Sequence, residues 1–158
     1  MSKIVVFLDF DGVLHPQPCW QENVFCRLEL VEDVLREFKD CVEIVVSSSW
    51  RDHFSLDDLR HMFSSELRHL VIGVTPSIVT PSPRWVIGQS PPWEREFEIE
   101  TWLEGNRTLD TPWIALDDRP EWFRDDCPNL LVTDPAYGFA ENQQQTLRLM
   151  LRHRRDEL

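Results

Sequence analysis

Apolar and polar positions recur along this chain in two different periods. Residues 3–9, "KIVVFLD", form a short β-branched run with no polar break before Asp9, the pattern of a strand buried on both faces. Residues 29–40, "ELVEDVLREFKD", instead place Val31, Val34, Leu35 and Phe38 on one side of a 3.6-residue repeat, which predicts an amphipathic helix. The first signature returns over 42–47, 69–74, 112–118 and 129–134, and the second over 55–63, 94–105 and 140–155. Ser55 is placed to cap one of these helices, with Asp58 three residues on, and Gly105 to end another. Such alternation predicts an α/β domain: a parallel sheet of five strands with helices on both faces. Residues 75–93 interrupt it with five prolines and read as an ordered but irregular loop, a kind often tied to function. With no internal repeat and no linker, one domain over 1–158 is expected.

Composition narrows the class. Apolar residues make up 42% and charged residues 28% of 158 positions, as in a globular chain. No apolar run approaches the roughly 20 residues of a membrane helix. The run before Asp9 is too short for a signal-peptide core, so a cytoplasmic location without membrane attachment is expected. The closing "RDEL" then has no retrieval function and is read as coincidence. Cys19, Cys26, Cys41 and Cys127 form no CxxC pair and are expected as reduced thiols. The net charge of −12 does not attract polyanions, so a phosphorylated substrate would need a bound cation or a local arginine cluster. Lysine occurs only at Lys3 and Lys39; Arg148, Arg152, Arg154 and Arg155 read as a solvated helix end that complements the dipole.

The chemistry collects at the strand ends, where open parallel sheets bind ligands. The first strand ends in Asp9-Phe10-Asp11, the second in Ser47-Ser48-Ser49 and the fourth in Asp117-Asp118. Paired aspartates also serve as turn formers, but Asp9 follows a buried run and Gly12, free to turn sharply, follows the pair. A strand period of two would turn Asp9 and Asp11 toward one pocket and Phe10 away. Converging carboxylates repel one another, and Mg²⁺, which prefers oxygen ligands, would relieve that conflict. For this the first and fourth strands must be neighbours. A carboxylate can also attack phosphorus, and a second one nearby can serve as acid and base.

These segments carry a resemblance. "DFDGVLHP" resembles the DxDGT/V motif of the haloacid-dehalogenase (HAD) superfamily, "EIVVSSSWR" its second motif and "ALDD" its fourth. With "VIGVTP" and Arg95, Glu98 and Ile99, nearly the whole chain looks like the small HAD domain of bacterial RNA-repair ("Swiss Army Knife") proteins. The resemblance implies a Rossmann-like core with minimal or no cap, since residues 12–28 and 75–93 are too short for one. It implies Asp9 as nucleophile and Asp11 as general acid/base. Both would contact Mg²⁺, Asp11 through its backbone carbonyl. Asp117 and Asp118 would be the further metal carboxylates. Ser47, with Ser48 as fallback, would hold the phosphoryl group. Arg95, with Arg84 a weaker alternative, would neutralise it.

Gly12, Ser48 and Arg51 are the further candidates for phosphate or substrate contact, and His15 for the pocket wall. Trp50, Trp85, Trp93 and Trp102 are candidates for stacking on a base, although tryptophan is more often packing. The expected function is a Mg²⁺-dependent phosphomonoester hydrolase working through an aspartyl-phosphate. Its expected partner is a phosphorylated substrate such as a nucleic-acid end or nucleotide, met by an assumed monomer. Alternatives are a small-metabolite phosphatase, a receiver-type signalling domain, which would need a lysine late in the chain, and a non-catalytic binding module.

Overall fold

The computed structural model describes residues 2–77 and 93–158. Five strands, β1 (Ile4–Leu8), β2 (Val42–Val46), β3 (Val71–Val74), β4 (Trp113–Asp117) and β5 (Leu130–Val132), form one parallel sheet in the order β3-β2-β1-β4-β5. Among the described residues four α-helices accompany them: α1 (Leu28–Glu37), α2 (Leu56–His61), α3 (Glu94–Asn106) and α4 (Glu141–Arg155). The first and fourth strands are neighbours, as a shared cation requires. The chain winds outward from β1 through β2 to β3, then returns to the other side of β1 for β4 and β5. Their crevice at the carboxyl ends is the switch point where such sheets bind ligands.

β1 is central because its sequence tolerates burial on both sides. Ile4, Val6 and Leu8 pack with α1 and α4 residues such as Val31, Leu35, Leu147 and Leu151. Val5 and Phe7 pack against Ile99, Trp102 and Leu103 of α3. All five β1 side chains are fully buried, each worth about 1.5–3 kcal/mol on leaving water. Phe7 meets Trp102 and Trp113 edge-on at 5.6 and 5.9 Å, which orients that face of the core. Helices thus cover both faces.

Boundaries differ from expectation where local bonding overrides pattern. The apolar segment 69–74 opens as a 3₁₀ turn, Arg68–Leu70, so β3 starts at Val71. β5 holds only Leu130–Val132 of the expected 129–134. Ser55 and Asp58 do form a reciprocal capping box at α2. Gly105 does not stop α3; the helix runs through it to Asn106, and the Arg107 N–H closes the last turn on Leu103 O. The closing arginines are more than a solvated end: Arg148 pairs with Glu37, Arg154 bonds Asn129 and Glu157, and Arg155 lies over Phe38. All four cysteines are free thiols. Among the described residues no helix is long and apolar enough to cross a membrane. Most of the proline-rich segment, with Arg84 and Trp85, lies outside the described residues. Residues 12–27 hold turns, the bridge residue His15 and the short Gln21–Asn23 helix before α1.

Candidate active site

Strand register assembles the site. Leu8 pairs with Val46 on one side and Leu116 on the other. The next residues outward are Asp9, Ser47 and Asp117, and the ladder continues one step through Asp9 N–H to Leu116 O and Ser47 N–H to Leu8 O. Adjacent strands lie about 4.8 Å apart, so these three side chains become neighbours without any loop having to fold over them. Asp118 joins them: Asp9, Asp117 and Asp118 each bring a carboxylate oxygen within 4.8 Å of the others, and all three are buried.

Such a trio is electrostatically costly alone. Burial lifts the Asp9 carboxyl well above its ordinary value, and the Asp117 charge adds to this while Arg95 opposes it. Burial likewise pushes Asp117 up to about 7, against the pull of Arg95 and of the Arg119 N–H that donates to its Oδ1 at 2.9 Å. Three hard oxygen donors, closely spaced and short of positive charge, suit a hard divalent cation. Gly12 keeps the space tight. It sits at φ +76°, and a Cβ there would lie 2.2 Å from Asp118 Oδ2.

Arg95 enters from the first turn of α3, which crosses the sheet on the Phe7 side. Its guanidinium is 3.5 Å from Asp117 and 3.9 Å from Asp9. It donates to the Ser47 carbonyl and reaches Ser47 Oγ at 3.4 Å. Trp122 supports it from behind, 5.1 Å from the ring centre. The two serines diverge: Ser48 Oγ is occupied as a cap, accepting the Trp50 N–H, whereas Ser47 stands beside Arg95 and Asp9.

Asp11 does not join the trio. β1 ends at Leu8, so a strand period of two does not reach position 11, and the chain turns through Gly12 into a bridge between Asp11 and His15. Asp11 Oδ1 accepts from His15 Nε2 at 2.8 Å and from Trp50 Nε1 at 3.0 Å. The His15 bond, then that of Trp50, holds its carboxyl below the ordinary range against partial burial. Its side-chain oxygens are therefore not part of the acidic cluster.

Arg51, in the 3₁₀ turn Ser49–Asp52 after β2, is paired within the fold. It bonds Thr75 Oγ1 at 3.1 Å and Glu98 at 3.0 Å, so its charge is matched by a buried carboxylate. Trp50 is no free stacking platform: Phe54 stacks on it at 5.3 Å, and Phe10, Phe25 and His15 surround it. Trp102 is core, and Trp93, half-exposed at the head of α3, lies beneath Arg124. Two supports have no sequence signature. Buried Thr133 donates to the Gly12 carbonyl at 2.7 Å, and Phe139 N–H bonds Val13 O. Glu98 had a signal, since Arg95 and Glu98 share one face of α3 at a spacing of three.

Comparison with curated proteins and with solved structures gave no match. A family model described as "HAD domain in Swiss Army Knife RNA repair proteins" matches residues 5–144, which hold all five strands but for the first residue of β1, and all of the acidic cluster. The chain belongs to that family of HAD domains.

Proposed function

We propose that this HAD-family, phosphatase-like hydrolase is a Mg²⁺-dependent phosphomonoesterase that uses Asp9 as its nucleophile. The observation that carries the reading is the convergence of Asp9, Asp117 and Asp118 within 4.8 Å, with the Arg95 guanidinium 3.5–3.9 Å from two of them. Asp9, Asp117 and Asp118 would hold the cation, with the Asp11 carbonyl as the ligand implied by the family. Bound there, Mg²⁺ would neutralise the carboxylates and draw phosphoryl oxygens toward them.

The chain's own residues then divide the work. Asp9 attacks phosphorus along the line of the departing oxygen and takes the phosphoryl group onto its carboxylate. Arg95 and Ser47 offer N–H and O–H donors where charge gathers on the phosphoryl oxygens. Asp11 gives a proton to the leaving alkoxide and later takes one from the water that releases phosphate. The substrate proposed is a terminal phosphate on a nucleic acid or nucleotide, by analogy with the RNA-repair setting named for the family.

The test uses the full chain with Mg²⁺ on an aryl phosphate and on 3′- and 5′-phosphorylated oligonucleotides. Asp9→Asn is expected to abolish turnover of every ester the wild type cleaves. Retention of near-normal turnover would remove Asp9 from the nucleophile's role. Chelator should silence the enzyme and Mg²⁺ restore it; activity unchanged in EDTA would exclude the cation.

A further inference from the structure

Asp11 is fixed in an unusual way, and two side chains outside the acidic cluster are responsible. A carboxylate on a short stem rotates easily about its last bond. Here two N–H donors from different segments converge on one of its oxygens: His15 Nε2 at 2.8 Å and Trp50 Nε1 at 3.0 Å, both to Oδ1. The His15 ring is itself set. Its side chain is 3% exposed, and the Phe25 N–H points at Nδ1 from 3.4 Å, which leaves the ring proton on Nε2. The Phe25 and Trp50 rings pack on His15 at 5.5 and 5.8 Å, and Phe54 stacks on Trp50. Among the described residues Oδ2 takes no hydrogen bond, and the Asp11 side chain keeps 32% of its exposure.

We propose that His15 and Trp50 are positioning residues for Asp11, clamping Oδ1 so that Oδ2 alone presents the proton to the leaving group. The inference rests on the roles given above to Asp9 and Asp11. In that step the bond from phosphorus to the ester oxygen breaks, and its electron pair goes to that oxygen. A lone pair of the Asp9 carboxylate forms the new bond to phosphorus. Asp11, which takes up a proton from solvent before the step, passes it from Oδ2 to the departing oxygen, which leaves as an alcohol. Aim matters only if the leaving oxygen needs that proton. Neither residue touches phosphorus, and neither belongs to the acidic cluster.

The test compares kcat/KM for benzyl phosphate, whose alkoxide leaves poorly, with that for 4-nitrophenyl phosphate, which is similar in shape and leaves readily. This constant reports steps up to transfer onto Asp9, so release of phosphate does not mask the comparison. Trp50→Phe and His15→Phe keep an aromatic ring and remove the N–H. Each is expected to lower kcat/KM for benzyl phosphate about tenfold or more beyond any loss on 4-nitrophenyl phosphate, part of the roughly 10²–10⁴ that general acid catalysis supplies. His15→Gln, which can again offer an N–H, should recover part of the selective loss. Circular dichroism and melting temperature identify a variant that has not folded, and the other then carries the comparison. Equal losses on both esters in a folded variant would make the pair merely structural and overturn the proposal, while Asp9-dependent turnover left the function standing. Wild type that cleaves neither ester in an Asp9-dependent way would overturn both.

Discussion

Replacing Asp117 by Asn should make the cation-free protein more stable while impairing its site. Asp117 is buried beside Asp118 and Asp9, and its carboxyl sits at about 7 instead of the ordinary 3.8. A carboxyl raised in the folded state favours folding below its unfolded value, and that contribution is lost as pH rises through the folded value. The gap corresponds to about 4 kcal/mol held against the wild type near pH 7, shrinking to under about 1 kcal/mol near pH 4. The figure already includes the attraction of Arg95. Asn carries no charge at any pH and keeps an oxygen for the Arg119 N–H. Carboxylates held below their ordinary values elsewhere, such as Glu37, Glu66 and Glu121, titrate alike in both proteins and cancel in the difference. Urea unfolding in EDTA, followed by the fluorescence of the seven tryptophans at pH 4.5, 6 and 7.5, reads the difference directly. Asp117→Asn should gain a few kcal/mol at pH 7.5, at most about half of that at pH 4.5, and lose most of the stabilisation by Mg²⁺. A variant less stable than wild type at pH 7.5 in chelator would refute the idea of a repulsive trio waiting for positive charge.

Three other outcomes are expected. The rise in melting temperature on adding Mg²⁺ should be larger at pH 8 than at pH 6, because protons on Asp9 and Asp117 compete with the cation; calorimetry showing an equal rise would speak against these ligands. Gly12→Ala should cost about 1–2 kcal/mol for its positive φ alone and more for the collision with Asp118, and it should weaken Mg²⁺ binding measured by thermal shift. Buried Glu32 accepts the Ser64 N–H at 2.7 Å and Ser64 Oγ at 2.6 Å, so Glu32→Ala should destabilise by about 2–4 kcal/mol in urea unfolding, with Mg²⁺ binding unchanged.

Much of the site is legible along the chain because β-strands carry their chemistry at their ends. "IVVFLDFD", "EIVVSSS" and "WIALDD" each announce a buried strand and then its polar terminus, so Asp9, Ser47 and Asp117 stand out as candidates before any fold is known. Asp11 shows where that reading stops. Treating positions 9 and 11 as one strand assumes that the strand continues, whereas β1 ends at Leu8 and the backbone turns at Gly12. Arg51, expected as a phosphate or substrate contact, is in the folded chain also half of an internal ion pair with buried Glu98, which no local pattern shows. Gly105 shows the same limit in a helix, since α3 continues past it while Trp102 and Leu103 hold the helix on the sheet.

The sequence by itself determined the local grammar: which runs are strands, which are amphipathic helices, where oxygen-bearing side chains stand at strand tips, and that the family is one of HAD domains. The elements and their polar tips follow from side-chain period and residue type, which are local properties; the family follows from the resemblance of whole motifs and the family model that matches residues 5–144. Only the tertiary structure decided that β1 lies between β2 and β4, because strand order depends on how helices crossing opposite faces share the core. That order brings Asp9 beside both Ser47 and Asp117, leads Arg95 across from α3, and gives Asp11 to His15 and Trp50. Side chains 39 to 109 positions apart become neighbours only when the sheet is assembled; motif resemblance implied the Asp9, Asp117 and Asp118 grouping, but side-chain period alone does not encode it.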